Sequence, residues 1–366
     1  MIFPRPNSLL PLLGPLLTVF SCYVQAWSQW QVDGFASLAA GFTLNEGRAA
    51  DGSRAKFDTE SGVYDSDLSF RPDSILGLQA STDLDNQFGL TMQVTAEGDR
   101  DFDVEVRWAF LSYEIDDRWK ILLGRQRLPV FFYSDSLEVG YSYHWVRPPT
   151  ELNLPADILD GIQVFRTFHT DEWDTTIQTY YGSSEGNSED IGKFKFDDGY
   201  GLVVSSGNEW LMWRLTYSKS EFSVVRPAHS GLARFDPVDS IYSGAALRLS
   251  WLKWFLVGEL GHNELDDPVS VNSTGGYLSL GYQVRQFTPH ITLGRYRASL
   301  RNSADIEGTK IQDQSLTLGL RWDFHPSAAF KVEYQTRADK SDPRIRFSRG
   351  DIRNTDLFSV SLDLVF

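Results

Sequence analysis

The chain has 366 residues, 42% of them hydrophobic and 14% aromatic, with 34 basic and 49 acidic side chains and a net charge of −15. This apolar content excludes intrinsic disorder, and the acidic excess argues against a nucleic-acid partner, because neutralising phosphates needs clustered Lys and Arg. A membrane-crossing helix needs roughly 18 successive apolar residues, and the candidate run from Leu9 to Phe20 is shorter and is broken by Pro11, Gly14 and Pro15.

In chain order, the first element is that run. It follows Arg5 and leads to Val24, Gln25 and Ala26, a small-x-small pattern of the kind a signal peptidase reads. Residues 1–26 are therefore expected to be a signal peptide, and Pro4, Pro6, Pro11 and Pro15 argue against a buried helix instead. The single cysteine, Cys22, falls in the removed part, so disulfides and Cys-ligated metals are not expected in the mature chain from Trp27. Val19 to Cys22 also make a poor lipoprotein box. Without Arg5 the mature chain carries 33 basic and 49 acidic residues, a net −16.

From Gln31 onward the sequence falls into segments of about ten residues with period-2 hydrophobicity, and helical periodicity is missing. Leu90, Met92, Val94 and Ala96 alternate with Thr91, Gln93, Thr95 and Glu97. One face of such a strand suits lipid and the other suits water. Next comes Gly124-Arg125-Gln126-Arg127-Leu128-Pro129, followed by the longest connection, Leu128 to Ile158, which holds Phe131, Phe132, Tyr133, Tyr141, Tyr143 and Trp145. A loop so aromatic needs a surface to pack on. Alternation returns in Leu211, Trp213, Leu215 and Tyr217 against Met212, Arg214, Thr216 and Ser218, and in Leu316, Leu318, Leu320 and Trp322 against Thr317, Gly319, Arg321 and Asp323. The final segment puts Phe358, Val360, Leu362, Leu364 and the terminal Phe366 on one face.

Short turns are expected near Asp83–Gln87, Asp116–Arg118, Phe168–Glu172, Gly207–Asn208, Leu252–Lys253, Arg285–Gln286 and His325–Ser327. Each has an aromatic neighbour: Phe88, Trp119, Trp173, Trp210, Trp251 with Trp254, Phe287, and Trp322 with Phe324. A soluble sandwich alternates too, but it has no reason to gather aromatics at one end, whereas a membrane interface does. Longer polar connections lie at Asn45–Leu68, Ser183–Phe196, Ser220–Ser240 and Arg337–Asn354. The expectation is all-β: one transmembrane antiparallel barrel over residues 27–366 with about 16 strands. Weakly marked hairpins near Asp103 and Thr170 leave 14 or 18 open.

In architecture over nearly the whole mature length, and in local motif around Gly124 to Gly161, the chain resembles the 16-stranded Gram-negative outer-membrane porins. That resemblance implies a third loop folded into the lumen, with Arg125 on the wall facing acidic loop residues. Asp135 and Glu138 are the acids best placed to oppose it, and Arg127, on the parity of Arg125, joins them as the expected constriction. Opposed charges across a narrow gap set up a transverse field, so loss of Arg125 is expected to raise conductance and favour cations. The alternative is a loop plug held by ordinary salt bridges. Proline at 148, 149 and 155 makes the second half of the loop stiffer than a minimal constriction loop, which leaves the placement of Glu151 and Asp157 open.

Arg214, Arg248, Arg321 and Lys331 share the inward parity of their strands and are expected to form a basic lumen wall, or else to be single charges balanced by neighbours such as Glu333 or Asp323. The last strand resembles the C-terminal signal that the barrel assembly machinery recognises. The resemblance further implies the outer-membrane bilayer as surroundings, small hydrophilic solutes and ions diffusing through a water-filled channel, and a homotrimer. A channel specific for a sugar, an organic acid or phosphate is the rival reading. A structural barrel needs only about eight strands. An enzyme is not expected, and neither is a metal or cofactor: His144, His169, His229, His262, His290 and His325 are scattered, without a zinc-spaced pair.

Overall fold

The computed structural model describes residues 30–45, 56–59, 62–152, 156–188, 192–227, 237–266, 271–300, 310–341 and 354–366. The expected signal peptide with Cys22, and Pro155, lie outside the described residues. The strands are β1 (Trp30–Thr43), β2 (Phe57–Thr59), β3 (Gly62–Tyr64), β4 (Ile75–Asp83), β5 (Phe88–Glu97), β6 (Val104–Glu114), β7 (Trp119–Arg127), β8 (Ile158–His169) and β9 (Asp174–Ser188). They continue as β10 (Gly192–Gly207), β11 (Leu211–Pro227), β12 (Val238–Trp251), β13 (Trp254–Leu265), β14 (Val271–Tyr282), β15 (Phe287–Leu300), β16 (Lys310–His325), β17 (Ala328–Asp339) and β18 (Asn354–Val365).

Among the described residues β1 and β4 to β18 form one closed antiparallel barrel of 16 strands. Closure is made by β18 on β1, in the register Phe35↔Val365 to Thr43↔Leu357. Closing the sheet leaves no edge strand, which lipid would not tolerate. The separate pair β2–β3 is a hairpin in the first long connection.

The seven expected short turns all occur, and they lie at one end of the barrel. Asp85 and Asp116 build two of them by accepting backbone N–H bonds, from Gln87 and Phe88 and from Arg118 and Trp119. Those bonds hold both carboxyls below the usual carboxylate range. Phe88 stacks on Tyr113 and Phe287 on Trp322 at that end, and Trp210, Trp251, Trp254 and Phe324 are exposed there. Amphipathic rings gathered at one level make the interfacial girdle of a membrane barrel.

Alternation sorts the rest. Leu90, Met92, Leu215, Leu260, Leu278, Leu293 and Leu318 are exposed on the outer face, while Gln93, Thr95, Gln163, Gln178, Thr216, Ser279, Thr292 and Thr317 are buried inside. On β18 the outer set is Phe358, Val360, Leu362, Leu364 and Phe366, the last 68% exposed, and the inner set is Leu357, Ser359, Ser361 and Asp363. Phe366 also exchanges both backbone hydrogen bonds with Gly34 on β1, and its ring lies where a Cβ at Gly34 would project.

Candidate functional site

A long connection, residues 128–157, joins β7 to β8, and its described residues 128–152 lie inside the barrel. Trp145, 1% exposed, packs with Tyr143, Val257 and Tyr277, and Tyr133, Leu152 and Phe255 pack around them. Its indole N–H donates to Thr292 Oγ1 at 2.8 Å. The aromatic side chains thus find their packing surface on the inner faces of β13 to β15, which satisfies both the apolar rings and the polar atom. Glycine lets the loop approach closely at Gly140, where any side chain would collide with Ser37 and Asp363.

Cations of the barrel wall bind the loop through its backbone. Lys331 Nζ donates to the carbonyls of Gly140 at 2.7 Å and Trp145 at 2.6 Å, and pairs with Asp363 at 2.9 Å. Arg321 donates to the carbonyls of Tyr141 at 2.7 Å and Tyr143 at 2.6 Å, and pairs with Asp323 at 2.7 Å. Arg214 donates to the carbonyl of Pro129. Carboxylates do the converse: Glu333 accepts the Val146 N–H and Glu259 the Phe132 N–H, each at 2.9 Å. His144 is buried with Nε2 2.8 Å from Ser279 Oγ, and burial, then the neighbouring His290, holds its imidazole well below the usual histidine range.

These contacts correct the expected basic wall. All four residues point inward, but Lys331 and Arg214 are buried beneath the loop, with Lys331 fully covered. The loop's carbonyls dock onto them, so they act as tethers. Only Arg248 remains both lumen-facing and exposed, and among the described residues it has no ion pair.

The expected constriction is also rearranged. Arg125 lies opposite Ala109 and Asp160, on the parity of Leu123, which is 56% exposed on the outer face. Its guanidinium makes a two-pronged bond to Asp160, 2.8 Å on each arm. Arg125 therefore faces away from the lumen and does not meet Asp135 or Glu138; strand alternation overrides the motif. Arg127 shares that parity, but it ends the strand, and its side chain is buried under the loop against Glu138 at 2.5 Å and Asp157. Arg107 completes the cluster, 2.6 Å from Glu138 and also paired with Asp157. Burial alone would raise the Asp157 carboxyl, yet Arg127 and Arg107 hold it below its usual range. Asp135 is exposed in a short 3-10 turn, without an ion pair among the described residues.

Several parts escape sequence reading. A register shift between Gln93 and Val94 marks a bulge in the β5–β6 pairing that brings in Arg107. The β2–β3 hairpin packs Phe57 and Tyr64 on Leu357, while Tyr64 and Arg147 both bind Asp73. Gly182 to Gly186 has the G-x-S-x-G spacing of a nucleophile elbow, but it lies within β9 with no following helix, and Ser184 donates to the Ile158 carbonyl.

Neither a scan against protein-family models nor a search of curated proteins finds a match. Among solved structures the chain is similar to OmpF of Salmonella typhi, with a TM-score of 0.61 and 14% identity over 92% of this chain and 97% of that one. It is similar to OmpT of Vibrio cholerae with loop L8 deleted, at 0.59 and 15% over 92% and 100%, and to an anion-selective porin of Comamonas acidovorans, at 0.55 and 13% over 92% and 99%. The fold is that of the Gram-negative outer-membrane porins.

Proposed function

We propose that the mature chain, from Trp27 after loss of a signal peptide, is an outer-membrane porin that lets small hydrophilic solutes and ions diffuse passively. The observation that carries this reading is a closed 16-stranded barrel crossed by a loop bound to its inner wall; barrels of about eight strands are filled by their own side chains, and wider ones are not. Beneath the loop, on the short-turn side, lies a vestibule of about 640 Å³ lined by Tyr133, Tyr141, Tyr143, Arg248, Arg285 and Arg321 among others. Arg107, Arg127, Glu138 and Asp157 fix the loop on the opposite wall and so set the width of the passage. The barrel assembly machinery reads the final strand, and the chain forms homotrimers, as the porin resemblance implies.

A second reading, a channel selective for anionic solutes, is favoured by one observation: among the described residues Asp323 is the one acid lining that vestibule, and it already pairs with Arg321. Planar-bilayer recording tests both. Stepwise conductance in potassium chloride is expected, and its absence from correctly folded protein removes the pore. A reversal potential in a salt gradient that favours chloride supports the anionic reading; one that favours potassium rejects it.

A further inference from the structure

The outer face carries an arrangement that conduction does not use. Near the long-loop end, four outward cations each meet a carboxylate: Arg125 with Asp160 at 2.8 Å, Lys193 and Lys195 with Glu185 at 3.0 and 2.6 Å, and Lys219 with Asp239 at 2.6 Å. At the same end of β15 and β16 the pattern breaks. Arg295 and Arg297 point outward and exposed, on the parity of Ile291 and Leu293. Their cross-strand neighbours are Gly276 and Thr274 on β14, and Gln314 and Gln312 on β16. Lys310 faces Ser299 on the same parity, and Lys340 continues it, its N–H bonded to the Gln312 carbonyl at 2.7 Å. None of these four cations has an ion pair among the described residues, and Asp313 and Asp339, which lie opposite each other in the β16–β17 ladder, are on the other, inward parity.

Directly below Arg295 and Arg297, and partly lined by them, runs an apolar depression of about 570 Å³. Ala245, Gly258 and Gly276 form its floor, and Leu247, Leu260, Leu278 and Leu293 rise around it. Small residues on one patch of an otherwise Leu-rich face leave room for a chain to lie against the backbone. Arginine prefers phosphate because its planar fork donates two parallel bonds, and basic residues at a membrane surface draw anionic headgroups.

We propose that this face of β12 to β16 binds a phosphorylated acyl lipid of the leaflet it faces. Arg295, Arg297, Lys310 and Lys340 hold the phosphate, and an acyl chain lies over Gly258 and Gly276. The site rests on the membrane placement proposed above and not on conduction, so bilayer recording on the same preparation separates the two.

The test is native mass spectrometry of the purified full-length mature barrel in detergent, titrated with bisphosphorylated lipid A or with its dephosphorylated form. The phosphorylated lipid is expected to be retained at least ten-fold more tightly. R295Q/R297Q should lower its retention at least ten-fold, and Arg125→Gln, which breaks a paired outer cation, should leave it unchanged. Gly258→Leu, which fills the depression, should weaken both lipids. Equal retention of the two lipids by the unsubstituted barrel overturns the proposal even if the double variant fails to assemble. So does undiminished binding to an assembled R295Q/R297Q barrel, or displacement by millimolar inorganic phosphate, which marks a site for a free anion.

Discussion

Glu138 sits between two guanidinium groups, Arg107 and Arg127, with Asp157 sharing both. Arg107, Arg127 and Glu138 are buried by the loop they hold, while Asp157 keeps a third of its side chain exposed, and removing a buried member such as Glu138 costs on the order of 3 kcal/mol because the two guanidinium groups lose their partner. Glu138→Gln is therefore expected to loosen the loop, giving noisier and larger single-channel currents with a shift toward anions. Arg125→Ser, on the outer face, should leave conductance and reversal potential unchanged, and a change in either would return Arg125 to the lumen. Sequence reading reached Arg127 and Glu138 but joined them to the wrong partner. Ile121, Leu123 and Arg125 share one parity, and the lipid-facing character of Leu123 was the available signal. Arg107 was not legible, because a bulge shifts its strand relative to its neighbour and leaves no mark in the alternation.

At the scale of elements, the inward loop has a built-in pH response through His144. Its folded pKa lies well below the usual value, so the folded state favours the neutral ring, and the stability this adds is present above about pH 6.5. It is lost as the pH falls toward the folded value, since undocked chains then bind the proton more readily. Thermal unfolding in detergent is expected to shift to lower temperature between pH 7 and pH 5, and less so in His144→Gln; equal shifts in the two proteins would falsify the assignment. Asp157 responds lower on the scale, because its carboxyl stays charged until the pH drops below the ordinary carboxylate range. The closing strand makes a different prediction. Phe366 seals the lipid face and bonds to Gly34 through its backbone, so Phe366→Ser should reduce assembled barrel, judged by heat-modifiable gel mobility, more than substitution of an exposed loop residue. The strand's two faces were legible from alternation over Phe358 to Phe366; its role in covering Lys331 with Asp363 was not, because that pairing depends on where the loop lies.

For the whole molecule, seven turns with their aromatic neighbours gave the sidedness and an even count of about 16, because short connections leave little freedom in where a strand can turn, while the weakly marked hairpins near Asp103 and Thr170 kept 14 and 18 open. The long connections were less legible. Residues 183–196 and 220–240 read as loops, yet β9, β10 and β11 extend well into them, since polar residues in strands above the membrane have no lipid face to advertise them. The β2–β3 hairpin inside the first connection was missed for the same reason. Inward parity put Arg214, Arg248, Arg321 and Lys331 on the inner face, but parity is a property of one strand, and which of them line open space depends on a loop that arrives from elsewhere in the chain.

The wall's cations grip main-chain carbonyls at Pro129, Gly140, Tyr141, Tyr143 and Trp145. Every residue type carries that carbonyl, so this part of the attachment is indifferent to the side chains it holds. Positions such as Asp135, exposed on the same loop, are free to change identity while the scaffold keeps its hold. If the barrel conducts as proposed, its solute preference can change through drift on the loop's exposed side, without first having to evolve a new way of folding it.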